Sequence, residues 1–270
     1  MTLTIWLTSA LLAAASVVPG AQRTAGDAVT SASSIQRETL VLDDGSTLRY
    51  AIVVPQGYDG SREAPLVLAL HFGWAEALPP NYSAVFLEIL VEPALRELGA
   101  ILVAPLCPAR TWVDPRSERA VLGLLEHVRG QYRTDPERTL VTGFSLGGMG
   151  TWYYASHHPE LFSAALPMAS VPMIARTAES GAETVQRYVT SGSVEWPATL
   201  LDLPLYIIHS RDDELIPIAP VERAAAELTA LGGNVEFHPI DAGIGHHETP
   251  RYVPYLARAV PWLQRLWEQH

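Results

Sequence analysis

From Arg37 onward, six short apolar runs, Leu66–His71, Ile101–Pro105, Thr139–Phe144, Ala164–Met168, Leu205–His209 and Val235–Ile240, alternate with longer stretches whose apolar residues recur three and four apart. Strands buried on both faces and separated by amphipathic helices fit one layered solution, a mostly parallel sheet with helices on either side. The alternation therefore predicts an α/β fold with a doubly wound core. The helical patterns lie around Val85–Leu98, Glu118–Tyr132, Leu146–Ser156, Val221–Leu231 and Tyr252–Trp267. Ahead of the core, Glu38–Asp43 and Leu48–Val54 flank Asp44-Gly45-Ser46, which reads as an antiparallel hairpin. Pro172–Leu203 is the longest stretch without a strand pattern, and it is expected to form a short cap over the sheet edge where open parallel sheets bind ligands.

Residues 1–20 carry no charged side chain and hold an apolar run from Ile5 to Val18, too short to span a bilayer, with Val18 and Gly20 small enough to frame a cleavage site after Gly20. This pattern predicts a signal peptide, and hence a secreted or periplasmic protein with no stable membrane association once the segment is removed. Residues 21–36, rich in Ala, Ser, Thr and Gly, read as a linker. Residues 37–270 are then one domain, large enough to need no staple.

Composition narrows the chemistry further. All 18 basic residues are Arg, which excludes a lysine Schiff base, a Walker-type phosphate loop and a Ser-Lys dyad. The single cysteine, Cys107, closes no intrachain disulfide and supplies no thiolate cluster, and it reads as a small buried filler. His157-His158 lacks a third ligand at fitting spacing, so no metal or other cofactor is expected. A net charge of −11 repels nucleic acid, leaving a small molecule or a neutral polymer as the expected partner.

Gly143-Phe144-Ser145-Leu146-Gly147 is a GxSxG pattern lying directly between a buried strand and a helix. A turn that sharp exposes the serine hydroxyl, and its glycines remove side chains that would collide. The alternative is a glycine-rich turn with an inert serine. A serine nucleophile needs a base and a group that orients the base. Two downstream strand ends offer them: Asp212-Asp213-Glu214 after Leu205–His209, and Gly243-Ile244-Gly245-His246-His247 after Val235–Ile240. The bend at Gly243 and Gly245 favours His246 over His247. Attack on a carbonyl also requires two backbone N–H donors for the oxygen, each worth about 3 kcal/mol. Leu146 is the expected first donor. The second is expected after the first core strand, in His71-Phe72-Gly73-Trp74, with Gly73 favoured over Phe72 and with His71 bracing the loop. Trp74 and Trp112 read equally as walls of a substrate pocket or as packing.

These residues resemble the α/β-hydrolase superfamily from about Glu38 to the C-terminus. Asp135-Pro136-Glu137-Arg138 followed by Gly143-Phe144-Ser145-Leu146-Gly147-Gly148-Met149-Gly150-Thr151-Trp152 is similar to exported esterases related to phospholipase/carboxylesterases, dienelactone hydrolases and feruloyl-esterase-like enzymes. The resemblance implies a Ser-Asp-His triad on Ser145, Asp213 and His246, an acyl-enzyme on Ser145, and a carboxylic ester as substrate. A serine peptidase or thioesterase, and a non-catalytic binding protein, are the alternative readings. Phe72 interrupts the family's usual His-Gly in the oxyanion loop, and Ser210 stands where Gly usually follows the strand-ending His.

Overall fold

The computed structural model describes residues 34–73, 78–173 and 196–268. The signal peptide and nearly all of the linker, Trp74, and residues 174–195 of the expected cap lie outside the described residues; Gln36, the last linker position, already begins a strand.

Eight strands make one sheet: β1 (Gln36–Val41), β2 (Thr47–Val53), β3 (Ala64–Leu70), β4 (Ile101–Pro105), β5 (Thr134–Phe144), β6 (Ala164–Met168), β7 (Leu205–Ser210) and β8 (Val235–Ile240). Their order is β1-β2-β4-β3-β5-β6-β7-β8. β2 pairs antiparallel with β1 and β4, and every other pair is parallel. This is the α/β-hydrolase arrangement, with the expected N-terminal hairpin at one edge.

The core lies in two layers because side chains alternate along each strand. Leu66, Leu68 and Leu70 of β3 face α3 (Pro115–Gln131), α4 (Leu146–His157) and α6 (Ala219–Ala230), together with Leu124, Trp152 and Val221. Val67 and Ala69 face the opposite layer, with Phe86, Leu90, Tyr252 and Leu263. That layer is formed by α1 (Tyr82–Phe86), α2 (Glu92–Leu95), α7 (Val253–Ala257) and α8 (Val260–Trp267). The short α5 (Ala198–Asp202) precedes β7.

Proline explains where the helices depart from the sequence reading. The expected helix Val85–Leu98 begins earlier, at Tyr82, and is split by a π turn at Leu87–Val91. Pro93 has no N–H for the Ile89 carbonyl, so the ladder widens just ahead of it. The expected helix Tyr252–Trp267 is a 3-10 turn (Thr249–Tyr252) followed by α7 and α8, with Pro254 and Pro261 in their first turns. The Pro261 ring would clash with the Ala257 carbonyl, so the chain breaks and restarts. β5 begins five residues before the apolar run because Ala64 pairs with Thr134, after which the register shifts. Arg138 holds this polar start, donating to Asp135 at 2.6 Å and to the Glu63 carbonyl at 3.0 Å.

Leu68 is fully buried at the centre of β3, so Leu68→Ala should lower the unfolding free energy by about 2–5 kcal/mol. Urea titration should show a lower midpoint at unchanged slope.

Candidate active site

The parallel strands end at one edge of the sheet, and Ser145 stands there between β5 and α4. Its backbone adopts φ 56° and ψ −115°, left-handed for a residue with a Cβ and costing about 1–3 kcal/mol. The Ser145 N–H donates to the Met168 carbonyl at 3.0 Å, anchoring the turn to β6. Crowding, rather than backbone angle, demands the flanking glycines. A Cβ on Gly147 would lie 1.8 Å from the Leu70 carbonyl oxygen, and one on Gly143 would lie 2.3 Å from the Gly147 oxygen.

β7 and β8 deliver the two other polar groups. Asp213 is 5% exposed and His246 4% exposed, whereas their neighbours Asp212 and His247 face solvent. His246 Nδ1 lies 2.7 Å from Asp213 Oδ2, and its Nε2 lies 2.8 Å from Ser145 Oγ. The second carboxylate oxygen, Oδ1, accepts the N–H groups of Leu215 at 3.1 Å and Ile216 at 2.7 Å. Burial alone would raise the Asp213 carboxyl, but the hydrogen bonds from His246 and Ile216 hold it below its ordinary value, so it is ionised at neutral pH. Behind it, His209 is fully buried and donates from Nε2 to the Ile216 carbonyl at 2.8 Å. Gly243, at φ +60°, makes the bend ahead of His246. Glu214 accepts the His246 backbone N–H at 3.0 Å, a contact that nothing in the run Asp212-Asp213-Glu214 announced.

On the other side of Ser145, the loop after β3 is held by hydrogen bonds into the interior. His71 Nδ1 donates to the Phe72 carbonyl at 2.9 Å, while Nε2 accepts the Cys107 N–H at 3.0 Å. Burial pushes the His71 imidazole down to about 4, so it is neutral and fixed in one tautomer. Its position supports a brace. The Trp112 indole N–H donates to the His71 carbonyl at 2.9 Å. Trp112 is completely buried against Gly150, which corrects the pocket-wall reading: it packs beneath the loop. Both carbonyls, of His71 and Phe72, are engaged on the interior side, so in trans peptides the N–H groups of Phe72 and Gly73 point the opposite way. Gly73 takes φ +81°, and the Phe72 ring packs against Phe144 and Tyr82. Leu146, as the first residue of α4, has no intrahelical acceptor for its N–H.

One further feature escaped the sequence. Ala169, directly after β6, also has positive φ, and it turns Ser170 against α4, where a Cβ on Gly148 would meet Ser170 Oγ at 2.4 Å. No turn residue announced it. Cys107 is buried, and burial raises its thiol to about 11, which leaves it protonated. His157 and His158 hold the end of α4, bonding the Tyr153 carbonyl at 3.0 Å and Glu118 at 2.7 Å. No group of three His, Cys, Asp or Glu suited to a metal occurs among the described residues.

The sequence profile of the Esterase family, described as putative esterase, matches residues 122–263, more than half of the chain and the span that carries Ser145, Asp213 and His246. The chain belongs to this esterase family. The esterase is an enzyme of the carboxylesterase type. No curated protein sequence matches it. Among solved structures it is similar to a thermostable esterase (23% identity, TM-score 0.64, 86% of this chain covered) and spans 62% of that protein. It is also similar to a ferulic acid esterase (17%, TM-score 0.65, covering 87% of this chain and 98% of the other). A fluorophosphonate-binding serine hydrolase of Staphylococcus aureus aligns with 15% identity and TM-score 0.62, covering 86% and 98%. At these identities the likeness is one of fold.

The His71 brace has a pH signature. An unfolded imidazole takes its proton near 6.5 and the native one near 4, so the stabilisation is complete above about 6.5 and is lost as pH falls towards 4, by roughly 3 kcal/mol. His209, also lowered by burial, acts in the same direction. Urea unfolding of the wild type and His71→Asn across pH 7 to 4 should show a difference that shrinks as pH falls. A constant difference would mean that His71 does not titrate this way.

Proposed function

We propose that this esterase cleaves carboxylic esters through an acyl-enzyme on Ser145, with His246 as base and Asp213 as its orienter. One observation carries the reading: a single imidazole lies within hydrogen-bond reach of both the serine hydroxyl, at 2.8 Å, and an ionised buried carboxylate, at 2.7 Å. With Nδ1–H donated to Asp213, Nε2 is free to take the Ser145 proton as Oγ attacks the ester carbonyl. The imidazolium, stabilised by Asp213, then protonates the departing alkoxide. Water, deprotonated by the same Nε2, hydrolyses the acyl-serine. The oxyanion is received by the Leu146 N–H at the positive end of α4 and by Gly73 or Phe72. Short-chain or aromatic esters are the proposed substrates, and the protein is proposed to be exported, with residues 1–20 removed. The apolar, uncharged character of residues 1–20 supports export.

A fluorophosphonate probe should label Ser145, and Ser145→Ala should abolish labelling and reduce ester hydrolysis a thousandfold or more with the fold intact. Activity above a tenth of wild type would remove Ser145 as nucleophile. Acyl, aryl, phospholipid and peptide substrates tested as one panel should place short-chain and aryl esters first. N-terminal sequencing of the exported protein should begin at Ala21.

Within each adjacent pair, only one member should matter. His246→Ala and Asp213→Asn should each lower turnover by several orders of magnitude, while His247→Ala and Asp212→Asn should cost less than about tenfold. Steady-state kinetics on the four variants, with circular dichroism to check folding, measures the contrast. A larger loss in either exposed member would reassign the triad.

A further inference from the structure

We infer that Glu214 is a positioning residue for His246, acting on its main chain while Asp213 acts on its ring. The inference rests on the triad reading above. Adjacent residues of one loop hold the same histidine at two points: Asp213 Oδ2 at Nδ1, 2.7 Å, and Glu214 Oε2 at the backbone N–H, 3.0 Å. The His246 N–H is also the first cause holding the Glu214 carboxyl below its ordinary value, so this acceptor is charged at neutral pH. Gly245 bears the mark of the same contact. Its φ lies outside the positive region, yet a Cβ there would sit 3.0 Å from Glu214 Oε2, so the carboxylate occupies the space a side chain would take.

Arg211, directly after β7, also joins the two loops, donating to Asp241 Oδ1 at 2.7 Å at the start of the segment that follows β8. Glu248 accepts the Gly245 N–H at 2.8 Å, and Arg251 binds Glu248 at 2.9 and 3.0 Å and the carbonyls of Gly243 at 3.0 Å and Ala242 at 3.2 Å. These last contacts stiffen the loop internally, while Arg211 ties its first residue, five positions before His246, to the acid loop. Asp213 holds the ring nitrogen. Glu214 supplies the point at the His246 main chain itself and so restrains the pivot left between the other two. A pivot displacing Nε2 by about 1 Å from Ser145 Oγ costs on the order of a hundredfold in rate without changing ground-state binding.

Kinetics of Glu214→Ala, Glu214→Asp and Glu214→Gln on a good ester, with His246→Ala as reference, test the assignment. Glu214→Ala should lower kcat ten- to a hundredfold with KM within about twofold. Glu214→Asp keeps the charge but falls a methylene short, and it should lose nearly as much. Glu214→Gln keeps a carbonyl oxygen at full reach and should restore most of kcat. The low-field proton resonance of the His246 Nδ1–H bond should follow the same order, broadened in Glu214→Ala and sharp in Glu214→Gln. Unchanged kcat in Glu214→Ala beside an inactive His246→Ala would overturn the positioning role and leave the triad standing. A loss in Glu214→Gln equal to that in Glu214→Ala would overturn the hydrogen-bond basis. An active His246→Ala would instead overturn the triad reading beneath it.

Discussion

The site depends on a contact that only glycine permits. The end of β3 and the first turn of α4 approach until the space a Gly147 side chain would fill is taken by the Leu70 carbonyl, and Gly143 makes the same approach to Gly147. Any Cβ at either position would force the helix away from the sheet. Helix, strand and turn are therefore locked together at the one place where Ser145 must take a backbone conformation costing about 1–3 kcal/mol. The bond from its N–H to Met168 and the packing of Gly148 and Gly150 against Ser170 and Trp112 hold that conformation from the remaining sides. A hydroxyl presented this way is rigid before any substrate arrives, which lowers the entropy cost of the proposed attack.

The loops around this fixed point differ in how they are held. The loop after β3 is anchored downward, through two carbonyls that take donors from His71 and Trp112, so its amides are left facing the other way. The acid and histidine loops are anchored to each other, through Asp213 and Glu214. In the proposed mechanism one set of bonds fixes donors for a developing oxyanion and the other fixes a proton acceptor.

Much of this was legible in the sequence because periodicity and order are local properties. Every strand was anticipated, seven of the eight to within two residues, since the core strands are short apolar runs bounded by turn residues. What escaped depended on contacts across the chain. The polar start of β5 is strand only because Ala64 pairs with Thr134, and no apolar pattern marks it. Pro93 and Pro261 were visible, but the apolar spacing around them was strong enough to suggest unbroken helices. Trp112 read equally as pocket wall or packing, because an indole beside a strand end carries the same signature either way; the acceptor of its N–H, the His71 carbonyl, resolves it. Asp212, Asp213 and Glu214 form a uniform acidic run in sequence. The structure gives each a separate environment, one exposed, one buried under His246 and one bonded to its main chain.

Histidine shows how burial sorts groups of identical chemistry. Three imidazoles are buried among the described residues, His71, His209 and His246. His71 has both nitrogens committed, one as donor to Phe72 and one as acceptor from Cys107, and burial keeps it neutral at any pH near 7. His209 commits its Nε2 proton to the Ile216 carbonyl, and burial likewise disfavours its charged form. Neither has a proton to exchange with a reacting group. His246 differs in one respect: its acceptor nitrogen faces a hydroxyl rather than a backbone amide, and a hydroxyl can give its proton away. Behind it lies the one buried carboxylate among the described residues of the three loops, kept ionised by hydrogen bonds that outweigh its burial. In the proposed mechanism the imidazolium that forms on proton transfer therefore has a counter-charge 2.7 Å away, already in place.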